Sequence, residues 1–332
     1  MKVLVTGGSG YIGTHLIESL ISQGHIVHAL VRTPSRATHL IKPGIDIFNG
    51  DFTDISAVMK AMSGCKQVYH MGGCASVWER DPRVYYTINV EGTRNVLDAA
   101  IHHKVEKVVF TSTAGVLGPS ISGVVHESKS RDIDFFNEYE SSKAHAESLV
   151  KSYVTDFGLD AVIVSPTRVY GPYIAGQPGS ITLIISKFIQ GKWRFIPGDG
   201  TKIGNYVFVD DVVSGHLLAM LNGQPGGTYI LGGDNYTYNE FFATLKEVSG
   251  SDYFLIKMPV FIQKLFAHIV LFFARLRGVT PAVTIKWIRR GNYHWEVCVD
   301  KAKNNLGYSV TPLKVGLKKT VTWAEKSSKG AT

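Results

Sequence analysis

A chain of 332 residues, 45% hydrophobic and 19% charged, can bury a large core and is not a disordered polymer. Its length predicts one large domain with a smaller companion rather than a single compact unit. The formal net charge of +8 suits a phosphorylated ligand; without a block of consecutive Lys and Arg, no nucleic-acid partner is expected.

In chain order, short β-branched runs alternate with longer stretches of helical spacing. Strands are predicted at Lys2 to Thr6, Ile26 to Val31, Ile45 to Gly50, Gln67 to Met71, Lys107 to Ser112 and Ala161 to Ser165, and helices at Thr14 to Gln23, Thr87 to His102 and Ser141 to Phe157. This alternation implies βαβ units, hence an α/β, doubly wound parallel sheet of the Rossmann type with helices on both faces. After Pro166 the texture changes. Tyr170-Gly171-Pro172-Tyr173 and Gly176-Gln177-Pro178-Gly179 are loop signals, and a helix is predicted at Ile181 to Gln190. Tyr206 to Val209 and Gly227 to Leu231 read as strands returning to the main sheet, and Tyr238 to Thr332 reads as mostly helical. The expected division is a dinucleotide-binding domain over 1–165, with returning segments near 205–232, and a smaller, mainly helical C-terminal substrate lobe over 166–204 and 233–332.

Cys65, Cys74 and Cys298 form no C-x-x-C pair and no metal-ligand spacing, so reduced thiols in a cytoplasmic protein, and no metal, are expected. Met1-Lys2-Val3-Leu4-Val5 runs into a strand instead of a signal-peptide layout. The most apolar stretch, Val260 to Ala274, is interrupted by Gln263, Lys264 and His268 and is too short and polar to span a bilayer. Phe261 to Arg277, with Lys264, Arg275 and Arg277, could lie on a membrane surface; a core or lid helix is the preferred reading, and membrane association is not expected.

Between the first strand and first helix lies Gly7-Gly8-Ser9-Gly10-Tyr11-Ile12-Gly13. Side chains at these glycines would block a tight turn, the approach of a pyrophosphate to backbone N–H groups, and close helix–strand packing. Gly7, Gly10, Tyr11, Ile12 and Gly13 are therefore candidate cofactor contacts. An NAD site normally carries an acidic residue after the second strand. Here no Asp or Glu occurs between Glu18 and Asp46, while Arg32 and Arg36 stand where a 2′-phosphate would lie. NADP(H) is the expected cofactor, with NAD(H) the weaker choice. Asp51, after the third strand, could accept a hydrogen bond from the adenine amino group.

Tyr139 and Lys143 stand four apart on one helix face. A phenol titrates near 10 when unperturbed, and a nearby ammonium is expected to lower that value into a useful range for acid–base chemistry. The strand Val108-Val109-Phe110 ends in a hydroxyl cluster, Thr111-Ser112-Thr113, whose place at a strand C-terminus faces the ligand crevice.

With these motifs the chain resembles the extended short-chain dehydrogenases/reductases, the NAD-dependent epimerase/dehydratase superfamily, in the branch of dihydroflavonol reductases and 3β-hydroxysteroid dehydrogenases. Asn89 to Leu97, Ser165-Pro166-Thr167-Arg168-Val169-Tyr170-Gly171-Pro172, Val207 to Val213 and Asn305-Leu306-Gly307-Tyr308 carry the rest of the likeness. The resemblance implies Tyr139 as proton donor and acceptor, Lys143 on the nicotinamide ribose, and Thr113 as the hydroxyl beside the substrate oxygen. It also implies Asn89 as a structural or proton-relay group, Pro166 as a cofactor contact, and a homodimer paired through Thr87 to His102 and Ser141 to Phe157.

Sugar-nucleotide members of that superfamily usually carry an arginine that grips a diphosphate, and here Gly204 stands in its place. Losing a bidentate phosphate partner argues for an apolar small molecule, a ketone or aldehyde and its alcohol. A nucleotide-sugar epimerase or dehydratase is the alternative, with Arg194 or Lys202 compensating. Phe254, Phe261, Phe266, Phe272 and Phe273 are read either as the lining of an apolar pocket or as core.

Overall fold

The computed structural model describes residues 1–329 except Val77, Gln177 and Ala282. Gln177 of the expected loop, the side chain of Arg275 and the end of the helical stretch at Thr332 lie outside the described residues.

Strands β1 (Lys2–Thr6), β2 (Ile26–Val31), β3 (Ile45–Asn49), β4 (Gln67–His70), β5 (Lys107–Thr111) and β6 (Ala161–Pro166) form the main sheet with a late strand, β10 (Thr228–Leu231). The sheet has seven parallel strands in the order β10-β6-β5-β4-β1-β2-β3. Because it is covered on both faces, its strands are continuous apolar runs: all six residues of β6 are buried. Alternation within β1 sends Val3 and Val5 to one face and Leu4 to the other.

On the Val3/Val5 face lie α1 (Tyr11–Ser22) and α7 (Val209–Asn222), contributing Leu16, Ile17 and Leu20, and Val212, Val213 and Met220. Opposite them lie α2 (Ile55–Met62), α4 (Gly92–His102) and α5 (Glu138–Phe157), through Val58, Met62, Val96, Leu97, Ala146 and Val150. Asn137 caps α5, its side chain accepting from the Glu140 amide at 2.9 Å, so the helix opens three residues before the expected Ser141. The helix expected from Thr87 instead begins with the short α3 (Arg83–Tyr86) and passes through a π-helical segment, Thr87–Glu91, before α4. Such segments re-aim side chains, and Asn89 is one of those it carries.

The returning strands divide. Thr228–Leu231 completes the main sheet, but β9 (Ile203–Phe208) does not join it. It pairs in parallel with β7 (Arg168–Tyr170) and antiparallel with β11 (Asp234–Thr237). The place beside β6 is taken by β10, and β9 is drawn instead into a core of its own, where Tyr206 and Phe208 meet Tyr170, Phe241 and Leu317. Around this second core stand α6 (Ser180–Ile189), α8 (Tyr238–Ser249), α12 (Leu313–Lys329) and the strand pair β8 (Phe195–Pro197) and β12 (Ile256–Met258). The lobe also carries α9 (Val260–Arg277) and α10 (Ile285–Gly291), which packs against α9, whereas α11 (Asp300–Leu306) returns to the main sheet, where Ala302 and Leu306 pack with α7 and β10.

Phe254, Phe261, Phe266, Phe272 and Phe273 do not build the core of the second lobe. Phe254 is 80% exposed, Phe261 70%, Phe272 59%, Phe266 55% and Phe273 48%. The reason is which side of α9 faces inward: the small Ala267 and Ala274 are buried, which turns the bulky side outward. Among the described residues no helix is long and apolar enough to cross a membrane, and no group of side chains could hold a metal ion.

Candidate active site

The glycine turn between β1 and α1 is built for close approach. Gly7 sits at φ +71°, and a Cβ there would lie 2.7 Å from the Gly72 amide; one on Gly13 would lie 2.3 Å from the Gly7 carbonyl. Gly10 caps α1 without a side-chain hydrogen bond, which leaves the first amides of the helix open to an anion. This cradle fits a dinucleotide pyrophosphate. Ile12 lines the same cleft. Tyr11 lines it too, and its hydroxyl donates to the Gly171 carbonyl at 3.0 Å, which ties α1 to the second lobe.

At the end of β2, Arg32 is well exposed, and its Nε lies 3.6 Å from Asp51 Oδ2. Asp51 Oδ1 accepts the Thr53 amide at 3.0 Å. Arg36 is exposed in the short turn Pro34–Arg36. Arg32 and Asp51 are thus brought together, with Arg36 on the neighbouring turn.

Thr113 follows β5, where its Oγ1 accepts the Gly115 amide at 3.2 Å, and it lines the same cleft as Tyr139. Burial pushes the Tyr139 phenol up to about 12, against the opposing pull of the Thr113 hydroxyl and the Arg290 charge. The direction is opposite to the expected one because burial outweighs these, and Lys143 is not among the charges acting on the phenol. Lys143, one turn further along α5, is 4% exposed, with its ammonium 4.2 Å from the centre of the Phe110 ring. Burial pushes it down to about 7, opposed by the Glu147 carboxylate.

Asn89 is a clamp. Its Oδ1 accepts the Cys74 amide at 2.7 Å, and its Nδ2 donates to the Cys74 carbonyl and to Ser142 Oγ, at 3.1 and 2.9 Å. It thereby fixes the segment after β4 against α5 beside Lys143. His70 is held by Thr6 and Thr93 at 2.7 and 2.9 Å, and burial pushes it down to about 3, so it stays neutral.

A cleft of about 550 Å³ runs from the glycine turn past Thr113 and Tyr139 to Arg168, Tyr238 and Trp287. Beyond Thr113 and Pro166 it continues into a small recess of about 40 Å³. Several charged residues here escaped the sequence reading. Glu140, 1% exposed, accepts Arg131 Nη2 at 2.9 Å and Arg290 Nε at 2.8 Å, one on each carboxylate oxygen. Arg168 reaches over Gly204, its Nη1 donating to the Tyr238 hydroxyl at 3.2 Å. The one signal for Arg168 was the glycine at 204, which frees the space the guanidinium takes. Neither suggested compensator lies here: Arg194 stacks on Tyr253 at 3.9 Å, and the Lys202 ammonium is 3.3 Å from His294 Nε2.

Residues 3–232 match the model of the NAD dependent epimerase/dehydratase family. A Synechocystis sp. protein provisionally named as a dihydroflavonol 4-reductase is 30% identical over 325 residues, covering 96% of this chain and 93% of its own. The sterol demethylase protein B of Methylococcus capsulatus is 31% identical over 252 residues, 75% of each chain. Among solved structures, the UDP-glucose 4-epimerase of Thermotoga maritima, with UDP-glucose, superposes with a TM-score of 0.81 at 25% identity, over 99% of this chain and 100% of that one. The seven-stranded sheet, the glycine cradle and the family match agree: the chain belongs to the NAD dependent epimerase/dehydratase family, the extended short-chain dehydrogenases/reductases, whose members are NAD(P)-dependent enzymes.

Proposed function

We propose that this enzyme is an NADP(H)-dependent oxidoreductase that interconverts a ketone or aldehyde and its alcohol on a mainly apolar substrate. The observation that carries the reading is that Thr113 and Tyr139, one helical turn from Lys143, line one cleft with the glycine cradle. Gly7, Gly10, Tyr11, Ile12, Gly13 and Pro166 would hold the cofactor, which would supply or take the hydride. The chain's own part is the proton. As a carbonyl oxygen gains charge, Tyr139 donates its proton to it, and Thr113 holds that oxygen by its hydroxyl. The proton lost from Tyr139 leaves a phenolate that the Arg290 cation stabilises. Asn89 keeps the Cys74 segment and α5 in register around Lys143.

Support for an apolar substrate now comes from the cleft wall, with Ile181, Ile184, Trp193 and Trp287, and from the sterol-named relative. Arg32 and Arg36 favour a 2′-phosphate; Asp51 serves to orient Arg32. A nucleotide-sugar reading draws on the shared fold of the Thermotoga maritima epimerase. The test is NADPH oxidation with a panel of ketones, aldehydes and sterol ketones, alongside UDP-glucose. Turnover of a carbonyl that falls about 10²–10⁴-fold in Tyr139→Phe, with NADPH affinity retained, is the expected result. Epimerisation of UDP-glucose without net change of cofactor would reverse the choice.

A further inference from the structure

We propose that the recess beyond Thr113 is a subsite for a carboxylate of the substrate, gripped by Arg168 and Arg290. This rests on the oxidoreductase reading above and narrows it to oxo acids and hydroxy acids whose carboxylate lies near the reacting carbon. One carboxylate, Glu140, is already shared between Arg131 and Arg290, and Arg168 stands near enough for its charge to act on Arg290. Arg168 has no ion pair among the described residues; its neighbours are the rings of Tyr238 and Tyr206, at 5.3 and 5.6 Å, and the Tyr238 hydroxyl. Arg290 lies flat on Trp295 at 3.9 Å, and its charge and that of Arg168 repel one another. Two cations held close in a partly desolvated cleft call for an anion between them. The recess that they border with Thr113, Gly115 and Asn205 has about 40 Å³. That is room for a carboxylate. Its mouth at Thr113 opens beside Tyr139, so an acid seated there presents an adjacent carbonyl to the proton donor.

The test compares 3-oxodecanoate with its methyl ester and with decyl phosphate. In the wild-type enzyme the acid should be reduced with a kcat/KM about 10- to 100-fold above the ester, and Arg168→Gln should collapse that ratio to near one. Binding of decanoate, which cannot react, to the NADP⁺ form is measured by calorimetry and should be lost in Arg168→Gln. Equal handling of acid and ester, unchanged decanoate binding in the variant, or preferred binding of decyl phosphate would overturn the subsite. Failure of every carbonyl to turn over, with arginine-dependent decanoate binding intact, would instead count against the reaction alone.

Independently, we infer that α9 rests on an anionic lipid surface, which reverses the expectation drawn from sequence. Phe261, Leu265, Phe266, Phe272, Phe273 and Leu276 are 48–70% exposed. At 100° per residue they fall within an arc of about 140°, opposite the buried Ala267 and Ala274. Lys264 and Arg277 project at the two margins of that arc. From Tyr253 to Trp295 the sequence contains no Asp or Glu. An apolar face edged by cations and free of anions matches a helix lying in the plane of a negatively charged interface, not one crossing it. The full chain should co-sediment with vesicles of phosphatidylcholine and phosphatidylglycerol, and far less with phosphatidylcholine alone or at high salt. Leu265→Glu combined with Phe272→Glu should abolish binding without shifting the melting temperature. No binding to the anionic vesicles would overturn the inference. So would a dimer that these substitutions dissolve while vesicle binding persists.

Discussion

The guanidinium of Arg168 stands in the space that any side chain at position 204 would need: a Cβ on Gly204 would meet its Nη1 at 2.4 Å. The group in the way is the far end of a flexible side chain, so Gly204→Ala should displace the arginine rather than break the β7–β9 pairing. The expected stability loss is about 1 kcal/mol, the low end for overpacking, while KM for the true substrate rises about 10-fold or more. Unchanged KM with a clear loss of stability would mean that Arg168 does not serve the substrate.

Glu140 sits beside the proton donor but should act chiefly on stability. Glu140→Gln removes the buried charge that two partly buried guanidiniums share, and breaking such a cluster costs about 3–5 kcal/mol. Urea unfolding reads this directly. A loss below about 1 kcal/mol would show that the arginines find other partners.

Lys143 makes the stability of the cofactor-free protein depend on pH. Burial holds its ammonium at about 7, against an ordinary value of 10.5. Between these values the unfolded chain binds the proton and the folded chain does not, so this group's contribution to stability rises with pH. Below pH 7 both states are charged and the burial penalty is complete. Lys143→Met should therefore be more stable than wild type by most below pH 7, with the gain shrinking towards pH 10. Unfolding at pH 6, 8 and 9.5 measures it, and a gain that grows with pH would contradict the sign.

Arg32 should decide between the two cofactors. Its side chain is 69% exposed and steadied only loosely, at 3.6 Å, by Asp51. Arg32→Ala should weaken NADPH binding about 10-fold or more and leave NADH binding nearly unchanged. Titration by fluorescence gives both constants. Equal losses for the two cofactors would place Arg32 away from the 2′-phosphate.

What could be read in the sequence was local. The glycine turn announces itself between a strand and a helix, and Tyr139 and Lys143 share a face because helical spacing demands it. The arginine cluster was hidden because Arg131, Glu140, Arg168 and Arg290 come from four distant segments, and nothing in the spacing of any one of them points to the others. The fate of β9 was hidden for a related reason: two candidate strands competed for the place beside β6, and only packing decides between them. Composition showed that α9 was apolar but not that alanines would take its inward side. The direction of the Tyr139 shift depended on burial, which no spacing reveals.

The late arrival of β10 bears on how the protein is made. During synthesis β6, buried along its whole length in the finished sheet, pairs with β5 and then waits with its other edge bare. The second-lobe segments β7, α6, β8 and β9, and then α7, must all emerge before residues 228–231 can close it. An unpaired apolar strand is a template for pairing with other chains. Truncations that end between β6 and β10, tempting as a minimal nucleotide-binding fragment, should aggregate rather than fold.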